Sequence, residues 1–71
     1  MMDTKVYHVA RVLDEEYGWE IRAEGEIRAR SLYQSRVEAF AAARRFARSH
    51  PDHRVLIHYP DGSVQPCTPV D

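Results

Sequence analysis

Two histidines three residues apart, with a carboxylate between them, are the first side chains here that could do chemistry. His50, Asp52 and His53 carry the nitrogen and oxygen donors that a zinc ion accepts. Pro51 interrupts them, and a histidine at a helix end is favoured by the helix dipole alone. A zinc site also needs a third or fourth protein ligand. We therefore interpret these residues as a helix end, and we predict no metal and no cofactor.

The single cysteine is the second candidate. A thiolate nucleophile needs a base within hydrogen-bond reach, and His8, His53 and His58 are the available partners. Cys67 lies between two prolines near the C-terminus, with little to hold it, and it has no second cysteine for a disulfide. We expect no catalysis. For His8 and His58, both in predicted strands, we expect hydrogen-bonded structural roles, with the turn after His58 supplying its partner.

Arginine supplies nine of the ten basic residues, and its planar guanidinium suits paired contacts to phosphate or carboxylate. Arg44, Arg45 and Arg48 fall on one side of the predicted helix, and we call them the arginine face. Solvation is the plain interpretation, because exposed helix faces are normally charged. Partner binding is the alternative. Further candidates for a partner surface precede the helix: Arg22, Arg28, Arg30 and Leu32.

A net charge of −1 counts against a dedicated nucleic-acid binder, which is usually strongly basic. The charges are nevertheless segregated, with acids concentrated in residues 1–26 and arginines in residues 27–50. Neutralisation within the fold is the favoured explanation. No apolar run approaches the roughly 18 to 20 residues of a membrane span, and the first residues lack the apolar core of a signal peptide. We expect a cytoplasmic protein that does not enter a membrane.

One helix, from Ser35 to His50, must position the arginine face. Ser35 precedes Glu38 by three residues, which is the capping-box spacing. Pro51 ends the helix, because the residue before a proline disfavours helical geometry. A rotation of about 100° per residue brings an apolar set together opposite the arginines. This set is Ala39, Phe40, Ala43, Phe46 and Ala47, and we expect the two phenylalanines to anchor the core.

Alternation and β-branched residues predict four strands and a short fifth one at residues 63–65. The four are Lys5–Leu13, Trp19–Glu24, Arg28–Tyr33 and Arg54–Tyr59. Trp19, Ile21 and Ala23 should face the helix. The first strand is apolar on both sides, so its sequence does not decide which side is buried. We expect a three-residue loop at 25–27 that sets Ala23 opposite Ala29.

Short motifs follow one another in a fixed order over most of residues 7–64. They are Gly18-Trp19, Ile21, Glu24-Gly25, Arg28-Ala29, Ser31, Glu38-Ala39, Ala43-Arg44, Ala47, Ile57-His58 and Asp61-Gly62. In this order and spacing they resemble small bacterial domains of unknown function. The resemblance implies a three-stranded sheet, a helix and one or two further strands, with no established activity. The longer acidic first loop departs from that pattern, as do the two residues flanking Ser31.

These observations predict an α+β fold of β-β-β-α-β order with a short fifth strand. Residues 1–71 form one domain, ordered from about 5 to 65, with a frayed C-terminal tail. A mostly antiparallel sheet covers the helix and leaves its other face open. We expect a non-enzymatic protein-interaction module that binds a protein partner or a second copy through the open face or an edge strand. The alternative is nucleic-acid binding through the arginine face. The open face should carry Glu20, Arg22, Glu24, Arg28, Arg30, Leu32 and either Leu56 or Ile57.

Overall fold

The computed structural model describes residues 4–13 and 16–67 and contains one helix and a five-stranded sheet. The predicted α+β class and element order, including the fifth strand, are confirmed. In chain order the elements are β1 (Val6–Arg11), β2 (Trp19–Ala23), β3 (Ser31–Tyr33), α1 (Arg36–Ser49), β4 (Arg54–His58) and β5 (Val64–Pro66). Two acids of the first loop, Asp14 and Glu15, and the tail after Cys67 lie outside the described residues.

The sheet has the strand order β3-β2-β1-β4-β5, so that β1 is central. Strands β1 and β4 are parallel, and the other three pairings are antiparallel. The chain leaves the sheet at its β3 edge, passes through α1 and returns in the interior as β4, since a parallel pair needs such a crossover. The expected mostly antiparallel sheet with an interior β4 is therefore confirmed.

The β2–β3 connection differs from the predicted three-residue loop. The ladder stops at the pair of Ile21 and Ser31, and residues 24–30 form a longer loop. Gly25 turns the chain with a φ of 85°, and the Arg30 N–H donates to the Ile21 carbonyl at 2.7 Å, which ends the regular pairing. The observed pairs keep the predicted register, but Ala29 lies in the loop and not on a strand. They are Trp19–Tyr33, Glu20–Leu32 and Ile21–Ser31.

Helix α1 begins and ends where the capping signals predict. Ser35 is the N-cap, and its Oγ accepts a hydrogen bond of 3.1 Å from the Glu38 N–H. His50 is the C-cap, and its N–H donates to the Phe46 carbonyl at 2.9 Å. The helix is thus fixed at both ends by its own sequence.

The core lies between α1 and one face of the sheet. Tyr7 and Val9 face the helix, which settles the orientation of β1. The helix contributes four buried alanines, whereas Phe40 and Phe46 are only half-buried and pack at the edge of the core. Small side chains let the helix approach the sheet closely. We expected the two phenylalanines to anchor the core, but they lie at its edge. The buried set is Tyr7, Val9, Trp19, Ile21, Ala39, Ala42, Ala43, Ala47, Val55 and Ile57.

Candidate functional site

The side of the sheet opposite α1 is covered by none of the described elements, and we call it the open sheet face. Strand alternation and the observed register place Leu56 on this face and Ile57 in the core. The face consists of Val6, His8, Ala10, Glu20, Arg22, Leu32, Arg54, Leu56, His58, Val64 and Pro66, with Glu24 at its rim. All five strands contribute side chains to this face.

Apolar side chains lie toward both edges of the open sheet face. Leu32 on β3 is 42% exposed and Val64 on β5 is 48% exposed. Leu56 lies half-buried on β4, next to Pro66 of β5. These groups remain in contact with water unless another molecule covers them.

Two histidines and a carboxylate form a hydrogen-bonded chain at the centre of this face. His8 Nδ1 and His58 Nε2 are 2.8 Å apart, and His8 Nε2 lies 3.0 Å from Glu24 Oε1. The two rings are tilted by 48° with centroids 4.9 Å apart. A surface groove of about 460 Å³ opens beside them, lined in part by Arg22 and Ile27. We call His8 and His58 the histidine pair.

The strand order explains why the histidine pair forms. His8 lies opposite Leu56 across the parallel β1–β4 ladder, so His58 is the next residue on the same face. Hydrogen-bonded roles for both histidines were expected, but the partner of His58 is His8 and not the following turn. In that turn Asp61 accepts hydrogen bonds from the N–H and Oγ of Ser63, and these lower the pKa of its carboxyl.

The charged side chains around the pair are of both signs. Arg22, opposite His8 on β2, bonds through Nε to Glu20 Oε2 at 3.2 Å and through a terminal nitrogen to the Glu26 carbonyl at 3.3 Å. Arg54 lies at the start of β4, opposite Val6. The open sheet face therefore has no large excess of either charge.

The arginine face lies as predicted, with Arg44, Arg45 and Arg48 all exposed on α1. Arg28 and Arg30, by contrast, were expected on the open sheet face and are not there. The Arg30 guanidinium lies 5.1 Å from the Phe46 ring centroid, on the helix side of the sheet. Arg28 lines a groove with Arg30 and Tyr7 on that side. The 24–30 loop interrupts the strand alternation on which the prediction depended.

The two histidines at the end of the helix, His50 and His53, each make a hydrogen bond with a backbone group. His50 Nδ1 lies 3.1 Å from the Phe46 carbonyl, and His53 Nδ1 accepts from the Lys5 N–H at 3.2 Å. Their rings stack at 17° with centroids 5.7 Å apart. Across residues 4–13 and 16–67, no three His, Cys, Asp or Glu side chains converge as metal ligands.

Cys67 lies on the helix side of the sheet, away from the histidine pair. Its N–H donates to the Val55 carbonyl at 2.7 Å, and its side chain packs against the core. Burial raises the pKa of the Cys67 thiol, and the nearby Arg44 only partly opposes this. The thiol therefore stays protonated, whereas a nucleophilic cysteine needs a lowered pKa.

A family model matches most of the chain. The model of the family described as "Uncharacterized protein conserved in bacteria (DUF2188)" matches residues 7–66, which include all five strands except Val6 and the whole of α1. Neither the curated proteins nor the solved structures compared with the chain yield a match. In the part of the chain that the structure describes, the helix is too short and too polar to cross a bilayer.

Proposed function

Because the chain belongs to this bacterial family of uncharacterised proteins, we propose a function from its surfaces alone: it is a protein-interaction module that binds a second copy of itself through the open sheet face. One observation carries the proposal. The described part of the chain has a single helix, which covers one face of the sheet and leaves Leu32, Leu56 and Val64 on the other. Covering that face would add apolar burial to a domain too small to bury much within itself.

The size of the face suits a weak dimer. Five strands spaced about 4.8 Å apart form a sheet about 24 Å wide. Three of these strands have five or six residues and the two edge strands have three, at a rise of about 3.3 Å per residue. The flat area is therefore on the order of 350 Å². It is smaller than the roughly 800 Å² per partner of a standard interface, as in complexes that associate weakly.

The distribution of groups suits a two-fold axis. A symmetric dimer needs a patch that complements itself. An axis along the central β1 would set β3 of one copy over β5 of the other, so that Leu32 meets Val64. Stacked sheets lie about 10 Å apart, which leaves room for both side-chain layers. The mixed charges of Glu20, Arg22 and Arg54 avoid large like-charge opposition.

Edge-to-edge pairing is less favoured than face-to-face packing. Both edge strands, β3 and β5, contain only three residues, and β5 ends in Pro66. Short edges and proline are devices that prevent strand addition.

Sedimentation equilibrium up to millimolar concentration tests the dimer. We expect the parent to dimerise, and we expect Leu32→Glu and Val64→Glu each to weaken dimerisation by about tenfold or more through burial of a charge. Val37→Glu is the matched control, because Val37 is 77% exposed but lies on α1. A parent that is monomeric throughout, or a control that weakens dimerisation equally, would contradict the proposal.

Nucleic-acid binding remains a second candidate because three exposed arginines share the outer side of α1. Each phosphate contact contributes about 0.9 to the salt slope, so three would give a slope near −3. We expect no such binding, since the net charge is −1. Capture of nuclease-sensitive material by the parent, but not by an Arg44, Arg45, Arg48 triple alanine variant, would favour this candidate over ours.

A further inference from the structure

We propose that His8 and His58 bind a divalent transition-metal ion of the zinc class, which the same two histidines of a second copy complete. The inference deepens the proposed dimer and rests on it. Its starting point is the histidine pair, whose facing nitrogens lie 2.8 Å apart on the open sheet face. In that contact one ring nitrogen donates a proton to the other.

A metal ion can take the place of that shared proton. Zinc binds imidazole nitrogen at about 2.0 to 2.1 Å, so two ligands in a tetrahedron lie about 3.3 Å apart. The two nitrogens need to separate by only about 0.5 Å from their 2.8 Å contact. The His8 side chain is 24% exposed, which leaves a path for the ion. His58 then carries its proton on Nδ1, so both rings remain neutral.

Glu24 supplies the outer contact that a metal-binding histidine usually has. Its Oε1 accepts from His8 Nε2 at 3.0 Å, on the side of the ring away from His58. A histidine ligand typically donates its second N–H to a carboxylate, which fixes the tautomer and strengthens the ligand. Glu24 thus holds the His8 proton on Nε2 and directs the Nδ1 lone pair toward His58.

Nearby cations do not occupy the position of the ion. The closest basic residue on β2, Arg22, is held by Glu20 and by the Glu26 carbonyl. On β4, Arg54 precedes His58 by four residues and pairs with Val6. The carboxylates of Glu20 and Glu24 lie on the same side of the sheet and favour a positive ion there.

One copy of the chain cannot complete the site. No third donor converges with the histidine pair within the described residues, yet zinc in a structural site takes four ligands. The proposed two-fold axis runs along β1, the strand that contains His8. It sets the histidine pairs of two copies face to face at the same height. Four imidazoles then surround one ion, and the ion joins the two sheets.

Cobalt(II) and zinc(II) are the probes for this site. We expect titration with cobalt to give the visible absorption of a tetrahedral ion, saturating at one ion per two chains. We expect zinc to tighten dimerisation at least tenfold over buffer with EDTA, because an ion bound only by the dimer stabilises it by mass action. Both effects should disappear in His8→Ala and His58→Ala. The matched control, His53→Ala, removes a histidine elsewhere and should retain both.

Glu24→Gln guards against variants that merely misfold, since the Glu24 side chain is 65% exposed. We expect this variant to fold as the parent does and to lose about 10- to 100-fold in metal affinity. A parent dimer that is indifferent to zinc and EDTA would overturn the metal site and leave the interaction module standing. Binding of one ion to a single chain, or cobalt binding retained without the histidine pair, would overturn it too. A parent that never dimerises would remove both proposals.

Discussion

The two faces of the sheet are built from the same strands, but the side chains on one face are buried and apolar, whereas those on the other are partly exposed and hydrogen-bonded. On the helix side, Val9 is fully buried, Ile21 is 2% exposed, and no polar or charged residue is buried among the described residues. On the open sheet face, His8 makes hydrogen bonds to His58 across strands and to Glu24. Arg22 pairs with Glu20 on its own strand. One helix can cover only one face, so the second face combines exposed apolar groups with polar groups that already have partners.

The arginines also differ in their surroundings. Arg30 lies over Phe46, and Arg36 lies 5.2 Å from the Phe40 ring centroid, so each covers one end of the core by a cation–π contact. On the outer side of α1, Arg44 and Arg45 are exposed. The type of residue alone therefore does not separate structural arginines from those available to a partner.

The largest expected difference between the two faces of the sheet is the loss of stability when a side chain is truncated. Trp19→Ala on the helix side should destabilise the domain by about 3 to 5 kcal/mol, since Trp19 is 6% exposed and packs edge-on against Phe40. That can equal the whole stability of so small a domain. Leu32→Ala on the open face should cost less than about 1 kcal/mol in the monomer. Chemical denaturation at a concentration below dimerisation measures both, and equal losses would reverse our assignment of the faces.

An enlarged alanine tests the same difference between covered and outer positions on the helix itself. Ala43 is fully buried against the sheet, so Ala43→Leu should overpack the core and cost about 1 to 3 kcal/mol. Ala41→Leu, nearer the outer side, should change stability by no more than about 0.5 kcal/mol. Thermal melts of the two variants provide the measurement. A stable Ala43→Leu variant would mean that the helix can move away from the sheet.

Much of the fold could be predicted because its signals are local. Ser35, Glu38 and Pro51 bound the helix within the chain segment itself, and the structure follows them. Alternation from Trp19 to Ala23 identifies the buried side of β2 correctly. The β2–β3 loop could not be predicted, since no residue pattern indicates that the ladder stops at Ile21 and Ser31, where the Arg30 N–H bonds to the Ile21 carbonyl.

The histidine pair depends on a non-local fact, the placement of β4 beside β1. Sequence patterns place His8 and His58 in strands but do not give the strand order, and the two residues are 50 positions apart. The contact between His8 and His58 could have been predicted only by first assuming that β4 lies parallel to β1 in the observed register. The same limit applies to Cys67, which the strand order puts near Arg44 and away from both histidines.

Weakening the helix cap should affect the covered face alone. Ser35→Ala removes the acceptor of the Glu38 N–H and should cost about 1 kcal/mol. Ser49→Ala, at the last helical residue, should change stability by less than about 0.5 kcal/mol. Dimerisation should be unchanged in both, since neither residue touches the open sheet face. Denaturation and sedimentation together check this, and a cap variant that also weakens the dimer would link the two faces.

The smallest expected effect concerns the pKa of the Cys67 thiol, which depends on how well the edge of the core excludes water. Burial raises the pKa of the thiol and Arg44 lowers it, so Arg44→Ala should raise that pKa further. Arg45→Ala is the matched control and should leave it unchanged. Because the folded-state pKa is raised, the contribution of the thiol to stability is complete at pH values below the unfolded pKa and is lost as pH rises through the folded one. The pH profile of iodoacetamide modification measures the pKa directly. An Arg44→Ala thiol that ionises more readily than the parent would show that Arg44 acts by shielding Cys67 from water and not by its charge.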